Sequence, residues 1–108
     1  MGKFVITTRK NGEFQFVLKA DNGQVILASE GYKKKPSCKN GIESVRKNSA
    51  TESRFVKATA KNGKFYFNLK ATNGQIIGTS EMYESESSRD NGVASVMKNA
   101  PGASVSEE

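Results

Sequence analysis

Three consecutive lysines, Lys33, Lys34 and Lys35, form the most chemically distinctive cluster in this 108-residue sequence. The hydrophobic pattern predicts that a helix begins beside them, and the free backbone N–H groups at a helix start attract anions. Lys39 adds a cation one turn later. The cluster therefore predicts an anion-binding surface for nucleic acid or for an acidic partner protein. A solvated cluster that serves only solubility gives the same pattern, so these alternatives stay open.

The excess positive charge lies entirely in the first half of the chain. Residues 1–50 contain ten Lys and Arg against four Asp and Glu, whereas residues 51–108 contain seven of each, and the net charge is +6. A charge confined in this way favours an electrostatic partner for one half only. We expect any nucleic-acid or acidic-protein contact to use that half.

The chain has few of the residue types on which catalytic and metal sites depend. It has no histidine to act as a base near neutral pH, and its single cysteine, Cys38, excludes an internal disulfide. Cys38 falls on the apolar stripe of a predicted helix, and Arg89 stands at the matching place 51 residues later, which favours a buried structural thiol over a nucleophile. No phosphate-loop, dinucleotide or zinc motif is present. We therefore expect a non-enzymatic protein without cofactor or metal.

Two glutamates, Glu30 and Glu81, occur at matching places and each precedes a tyrosine, Tyr32 or Tyr83. If the two halves face each other, the glutamates could act as paired carboxylates in acid–base chemistry. Alternatively, each glutamate caps or orients the turn that leads into a helix. For the tyrosines, which fall at a predicted strand-to-helix junction, packing is the favoured role.

A predicted sheet face offers a second candidate surface. If helices cover the phenylalanine side of the sheet, Tyr66 points outward among amide and lysine side chains, where its ring could stack on a nucleobase. Sheets that bind RNA commonly present more than one aromatic ring, so this signal is weak. The other outward positions are Gln15, Val17, Lys19, Asn68 and Lys70.

These residues belong to a unit of about 50 residues that is written twice. A shift of 51 positions aligns residues 11–49 with residues 62–100 without a gap, and 21 of the 39 aligned positions are identical. The segment NGEFQFVLKADNGQVILASEGY falls on NGKFYFNLKATNGQIIGTSEMY. Two copies are too few for a solenoid. The chain is therefore an internal duplication, with repeats at about residues 3–49 and 54–100.

Each repeat predicts three antiparallel strands and a helix. Asn-Gly pairs separate the strands, and Asn-Gly favours a type I′ hairpin turn in which both residues have positive φ. The middle strands alternate apolar and polar residues, as half-buried strands do. Their buried positions are Phe14, Phe16 and Leu18 in the first repeat and Phe65, Phe67 and Leu69 in the second.

The helices are predicted from the change in apolar spacing that follows the third strand of each repeat. We expect the first to begin near residues 34–35 and the second at Ser85, a favourable N-cap. Asn48 and Asn99 are predicted C-caps. Mid-helix Gly41 and Gly92 predict close packing of the helix backbone on the sheet. Residues 101–108 are small and polar, and are predicted to form a disordered tail.

The repeated string FxFxLKAxNGQ, followed by SE, Y and NGxxSVxKN, resembles the YegP-like family of uncharacterised bacterial proteins. The resemblance covers residues 3–100. It implies tandem β(3)-α repeats in one continuous sheet, with the C-terminal helices exchanged between repeats, and single-copy members forming a dimer of the same arrangement. It brings no known activity, substrate or site. Lys34 departs from the Ser or Thr that often opens the first helix of the family.

Together these observations predict an α+β fold in which two β-β-β-α repeats form one continuous antiparallel sheet with two helices on one face. Residues 1–100 form a single domain. Because the duplication supplies each repeat with its partner, we expect a monomer with dimer-like pseudo-symmetry. We also expect a cytoplasmic protein without membrane contact, since there is no signal peptide or apolar span and the lone thiol fits a reducing compartment.

Overall fold

Two helices lie on one face of a seven-stranded sheet in the computed structural model, which describes residues 2–108. Three strands precede each helix, as the repeat predicts, and a seventh strand follows the second helix. The strands are β1 (Lys3–Thr8), β2 (Phe14–Lys19), β3 (Val25–Ala28), β4 (Phe55–Thr59), β5 (Phe65–Lys70), β6 (Ile76–Thr79) and β7 (Ser104–Glu107), and the helices are α1 (Lys35–Asn48) and α2 (Glu86–Asn99).

The strand order β4-β5-β6-β3-β2-β1-β7 joins two three-stranded meanders at their third strands. Strands β3 and β6 run antiparallel and pair at Ala28 and Thr79, which we call the seam. All neighbouring strands are antiparallel except β7, which runs parallel to β1. The α+β fold of two tandem repeats is confirmed, and β7 makes the sheet mixed rather than purely antiparallel.

The core lies between the sheet and the helices, and the two repeats contribute matching residues to it. The alternation predicted for the middle strands holds, because Phe16, Leu18, Phe67 and Leu69 are fully buried while Phe14 and Phe65 are half-buried. Burial of each such side chain contributes roughly 1.5–3 kcal/mol. The helices supply the opposite wall with Cys38, Ile42, Val45, Val93 and Val96.

The hairpin turns differ from the predicted type I′. Only the glycines of the four Asn-Gly pairs have positive φ, between 82° and 86°, and no non-glycine residue in the described chain does. In the first turn Gly12 N–H donates to Arg9 O at 2.9 Å and Arg9 N–H to Glu13 O at 2.7 Å. This is the three-residue hairpin that ends in a glycine bulge. Asn11 favours it because its Oδ1 accepts from Glu13 N–H at 3.0 Å.

The mid-helix glycines allow close packing, as predicted. A Cβ built on Gly41 would clash with the Tyr32 hydroxyl oxygen and lie 2.9 Å from Tyr32 Cζ, and the same holds for Gly92 against Tyr83. Each helix therefore lies on a tyrosine of its own repeat. Each also reaches across the seam, because α1 contacts β5 and β6 and α2 contacts β3. Each helix thus packs on strands of both repeats, in keeping with the exchange of helices between repeats that the family resemblance implied.

The helix ends follow the sequence only in part. Helix α2 has Ser85 as its N-cap, whose hydroxyl oxygen accepts from Ser88 N–H at 3.1 Å. Helix α1 has Lys34 at that place and no side-chain cap. Asn48 and Asn99 are the last helical residues rather than C-caps, and each side-chain amide donates to a backbone carbonyl one turn earlier at 2.8 Å. The C-cap residues, Ser49 and Ala100, both have right-handed helical backbone angles.

Residues 27 and 78 occupy matching places in the two repeats and face each other across the seam. Leu27 is fully buried, and a Cβ built on Gly78 would lie 2.7 Å from its Cγ and Cδ2. Two leucines therefore do not fit where one leucine and one glycine do. The repeats meet in an asymmetric contact that a dimer of identical chains cannot form.

The prediction of a disordered tail at residues 101–108 is wrong for residues 104–107, which form β7. Pairing with β1 satisfies backbone groups that a free tail would leave to water, and Glu108 N–H donates to Ile6 O at 2.9 Å. The Glu107 carboxylate lies 2.6 Å from Lys35 Nζ. The tail composition gave no sign of this because the strand depends on a distant edge and a distant lysine.

Within residues 2–108, neither helix is long and apolar enough to cross a membrane.

Candidate functional site

The predicted lysine cluster lies at the start of α1 but divides into two pairs. Lys33 and Lys34 are exposed. Lys35 contacts Glu107 at 2.6 Å and stands 5.7 Å above the centre of the Phe14 ring. Lys39 Nζ lies 3.7 Å from the other Glu107 carboxylate oxygen. The structure thus brings Lys35 and Lys39 together on the carboxylate of Glu107, and it leaves Lys33 and Lys34 exposed to solvent.

Two grooves open on either side of the seam, because β3 and β6 pair only at Ala28 and Thr79 within the described chain. Groove 1 has a volume of about 440 Å³ and is lined by Glu30, Gly31 and Tyr32 of the first repeat and residues 74–77 of the second. Groove 2, of about 410 Å³, is lined by residues 24–26 of the first repeat and Glu81 and Tyr83 of the second. The grooves are pseudo-symmetry mates, and each combines both repeats.

Both grooves present the same three polar side chains. Groove 1 has Glu30, Tyr32 and Gln75, and groove 2 has the matching Glu81, Tyr83 and Gln24. The glutamates are exposed, and their carboxylates make no hydrogen bond or ion pair within residues 2–108. Each groove therefore offers an uncommitted carboxylate beside a phenol and an amide.

The tyrosines are held firmly by packing. Tyr32 stacks on Phe16 with ring centres 6.2 Å apart, and Tyr83 stacks on Phe67 at 6.4 Å. Burial raises the pKa of both phenols, and the neighbouring glutamate raises it further. The packing role predicted for these tyrosines agrees with the geometry, and both rings also line the grooves.

The glutamates do not form a carboxylate pair, because Glu30 and Glu81 line separate grooves that share no residue. Nor do their carboxylates make a hydrogen bond that orients the turn. Instead, the main-chain carbonyl of each accepts from the preceding serine hydroxyl, Ser29 or Ser80, at 2.8 Å. Both roles considered from the sequence are therefore unsupported, and the carboxylates are left free for a ligand.

The residues that follow the tyrosines carry opposite charges in the two grooves. Lys33 and Lys34 follow Tyr32 of groove 1, whereas Glu84 and Ser85 follow Tyr83 of groove 2. Glu84 is 84% exposed as a side chain and lies 3.2 Å from Lys64. The two grooves thus have matching lining residues but differ in the charge of the residues that follow their tyrosines in the chain.

Cys38 is fully buried in the core, as the sequence predicted. Burial raises the pKa of its thiol, so the reactive thiolate is disfavoured at neutral pH. Arg89, the matching residue, is buried at 7% exposure with its guanidinium 5.5 Å above the Phe65 ring centre. Both positions serve packing.

The uncovered sheet face carries a row of small and aliphatic residues rather than an aromatic platform. Register places Val5, Val17 and Ala28 opposite one another, and Thr79, Asn68 and Val56 continue the row. Tyr66 lies beside this row on β5, half-buried. The predicted outward residues share the face, but they supply one aromatic ring, which does not make a base-stacking surface.

Sequence reasoning missed the grooves and the contribution of Gln24 and Gln75. A signal was present, since these glutamines are identical in the two repeats although exposed. Their relation to Glu81 and Glu30 depends on how the repeats join, which the pattern within one repeat does not contain. No group of three or more His, Cys, Asp or Glu placed to hold a metal occurs in residues 2–108.

Comparisons with known proteins give a family without an assigned function. The family model described as a domain of unknown function, DUF1508, matches residues 10–55 and 60–107. This chain is 55% identical to the "UPF0339 protein in ptx operon 5'region" of Stutzerimonas stutzeri, over 98% of this chain and 96% of that protein. It is 52% identical to UPF0339 protein YegP of Escherichia coli over the same shares.

Solved structures match equally well. The solution NMR structure of yegP from E. coli, described as a protein of unknown function, has a TM-score of 0.94 and 51% identity, covering 99% of this chain and 92% of that chain. The solution NMR structure of a UPF0339 protein from Shewanella oneidensis has a TM-score of 0.93 and 53% identity, covering 98% and 90%. These similarities concern fold and family, and none of these proteins has a name that assigns an activity.

Proposed function

This chain belongs to the family of the domain of unknown function DUF1508, as its resemblance to YegP-like proteins indicated, and we propose that it is a small non-enzymatic binding module. Its ligand occupies the two grooves beside the seam. The proposal includes a monomeric protein, because each groove is already complete within one chain. It also includes action in the cytoplasm, since the lone thiol of Cys38 fits a reducing compartment.

The observation that carries this proposal is the identity of exposed groove residues between the repeats. Most positions that are identical in both copies are buried or make a turn, so the fold explains them. Glu30 and Glu81 are exposed and bind nothing in residues 2–108, so neither packing nor a turn explains why both repeats keep them. Each groove is a concave surface on which a few polar groups converge, which is the usual form of a binding site.

The side chains of the grooves specify the ligand chemistry. A carboxylate accepts hydrogen bonds from amines and amides, and the glutamine amide both donates and accepts. In groove 2 the residue after Tyr83 is Glu84, which already pairs with Lys64 at 3.2 Å, so the Glu81 carboxylate is the group that favours a cationic donor such as a primary amine. In groove 1 the residues after Tyr32 are Lys33 and Lys34, which favours a ligand that carries an anionic group as well as a donor for Glu30.

The test is a two-dimensional 15N NMR titration with two end-blocked tripeptides, Gly-Lys-Gly and the uncharged analogue in which norleucine replaces lysine. We expect saturable shifts with the lysine peptide at residues 24–26 and 81–83, and smaller ones at 30–32 and 74–77. Glu81→Gln should weaken binding in groove 2 by about tenfold, as loss of a charge-assisted hydrogen bond predicts. Glu30→Gln is the matched control and should leave groove 2 unchanged.

Equal shifts with the norleucine peptide, or shifts that ignore Glu81→Gln, would refute groove binding of this chemistry. An uncharged amide variant keeps the size of the side chain and acts on an exposed position, so it is expected to fold normally. Thermal unfolding of both variants checks that expectation.

Nucleic-acid binding through the lysine-rich start of α1 is the second candidate function. It is favoured by the exposure of Lys33 and Lys34, which make no ion pair within residues 2–108. It is weakened by Glu107, which already engages Lys35 and Lys39. With two free lysines, binding should be weak and should fall with roughly the first or second power of the salt concentration.

Titration with a fluorescent single-stranded oligonucleotide at low salt tests this candidate. The comparison variant carries Lys33→Glu, Lys34→Ser and Lys35→Glu, which copies the second repeat into the first. Equal binding by the two proteins would exclude the lysine cluster as the contact. A loss confined to the variant, together with the expected salt slope, would support it.

A further inference from the structure

Strand β7 is one strand more than the duplication requires. The two repeats supply six strands, and the seam relates β1-β2-β3 to β4-β5-β6. Strand β4 follows α1 and pairs antiparallel with β5, so the strand that follows α2 has its symmetric place beside β2. That place is held by β1, which runs in the same direction as β7. The seventh strand is therefore added outside β1, in parallel, at an edge of the sheet.

The attachment of β7 is shallow. Val105 is 42% exposed, and Ser104 and Glu107 are exposed as well. Apart from the main-chain ladder to β1, the specific side-chain contacts are those of Glu107 with Lys35 at 2.6 Å and Lys39 at 3.7 Å. Ion pairs as exposed as these contribute little to stability. The residue before β7 is fixed, since Ala103 is buried and its carbonyl accepts from Arg46 at 2.6 Å, but from Ser104 onward the strand is held by its ladder and one carboxylate and can be exchanged for another.

The charges at this edge are not balanced. Two lysines of α1, Lys35 and Lys39, share the single carboxylate of Glu107, and Glu108 lies beyond it without an ion pair to either lysine. A strand with more carboxylates than β7 would therefore match the surface better than the protein's own strand does.

We propose that the β1 edge, together with Lys35 and Lys39, is a docking site for an acidic extended segment of a partner protein, and that β7 is its built-in competitor. The partner adds a strand parallel to β1, with a carboxylate opposite Ile6 where Glu107 now lies. Strand addition of this kind uses main-chain hydrogen bonds for affinity and side chains for specificity. This site is separate from the seam grooves and does not depend on them.

The second repeat shows how the specificity arises. At the places of Lys35 and Lys39 it has Glu86 and Asp90, and Asp90 pairs with Lys57 at 3.0 Å. Strand β4 is the corresponding edge, and it has no added strand within residues 2–108. Its Val56 is 40% exposed, whereas the matching Val5 beside β7 is 2% exposed. Strand β7, which carries Glu107, thus pairs with β1 beside Lys35 and Lys39, and not with β4 beside Glu86 and Asp90.

The experiment uses the full chain and three end-blocked peptides, ASVSEEEE, ASVSQQQQ and ASVSKKKK, with affinity measured by fluorescence anisotropy and the site located by NMR. Glu107→Lys removes the match between β7 and the lysines, so the acidic peptide should bind this variant about fivefold or more tightly than it binds the native chain, because cis competition is weakened. Glu108→Lys, which alters no ion pair of the edge, is the control and should stay within about twofold of the native chain.

A charge reversal completes the test. Lys35→Glu combined with Lys39→Asp, the residues of the second repeat, should reduce binding of the acidic peptide by about tenfold or more and raise that of ASVSKKKK. Shifts should map to β1 and to the displaced β7. Equal binding of all three peptides, shifts outside β1, or no gain with Glu107→Lys would overturn the proposal. Dimerisation of the native chain by exchange of β7, seen by analytical ultracentrifugation, would also overturn it, since the occupant would then be a second copy.

Discussion

Exchanging the residues of the leucine–glycine contact at the seam tests whether the two repeats are locked together by unequal side chains. A Cβ on Gly78 would lie 2.7 Å from two carbon atoms of Leu27, well inside van der Waals contact. Gly78 is not among the glycines with positive φ, so a side chain there meets steric crowding rather than backbone strain.

Gly78→Leu should therefore destabilise the protein by about 1–3 kcal/mol, the usual cost of overpacking a core. Leu27→Gly should cost about 3–5 kcal/mol, because it removes a fully buried leucine and adds backbone freedom. The double variant Leu27→Gly/Gly78→Leu restores one leucine and one glycine in mirrored positions. We expect it to lie within about 1 kcal/mol of the native protein, far from the sum of the single effects.

Urea unfolding followed by circular dichroism measures these differences as changes in the free energy of unfolding. The double-mutant cycle should give a coupling energy of about 3 kcal/mol or more, above the range usual for neighbouring residues, since the two side chains compete for the same space. Additive effects of the two substitutions would refute the reasoning, because they would mean that residues 27 and 78 do not share one site. A change in the denaturant slope would instead report an altered denatured state.

Three further predictions follow from the helices and the core. Lys34→Ser should raise the free energy of unfolding by about 0.5–2 kcal/mol in urea titrations, because it gives α1 the side-chain cap that α2 has, and an unchanged midpoint would contradict this. Gly41→Ala should destabilise by about 1–3 kcal/mol, and less in a Tyr32→Phe background that lacks the clashing hydroxyl, so an equal cost in both backgrounds would count against that contact. Burial raises the pKa of the Cys38 thiol in the folded state, so the thiol of the unfolded chain loses its proton at a lower pH. The free energy of unfolding should therefore be constant with respect to this group below about pH 8.5 and should decrease as the pH rises above that value. The melting temperature of Cys38→Ala should decline less over that range.

Most of the fold could be predicted because the chain contains the same unit twice, and the two copies have the same pattern of apolar residues. The alternation around Phe16 and Phe67 and the apolar spacing of the helices depend on local periodicity, so strands, helices and buried faces could be predicted. The turn type was missed because Asn-Gly also suits a type I turn that ends in a glycine bulge, and the choice depends on strand register. Strand β7 was missed because its short polar segment is ordered by pairing with β1 and by Lys35, both distant along the chain.

The candidate site was predictable only where it depends on single residues. The exposure of Lys33 and Lys34 agrees with the sequence, but the division of the lysine cluster, with Lys35 and Lys39 held by Glu107, depends on a strand that lies far along the chain. Glu30 and Glu81 are recognisable from the sequence as an identical pair, whereas their separation into two grooves is a property of the antiparallel seam. The charge difference between residues 33–35 and 84–86 can be read directly from the sequence. Its effect on ligand binding depends on the grooves, which exist only where the two repeats join.

An exchange of charges between the grooves tests the central claim most directly. The variant carries Lys33→Glu and Lys34→Ser in the first repeat, with Glu84→Lys and Ser85→Lys in the second, which leaves the net charge and composition of the chain unchanged. In the 15N NMR titration with the lysine tripeptide, we predict that the dominant shifts move from groove 2 to groove 1, at residues 30–32 and 74–77. Shifts that stay in groove 2, or that fall in neither groove, would contradict the account.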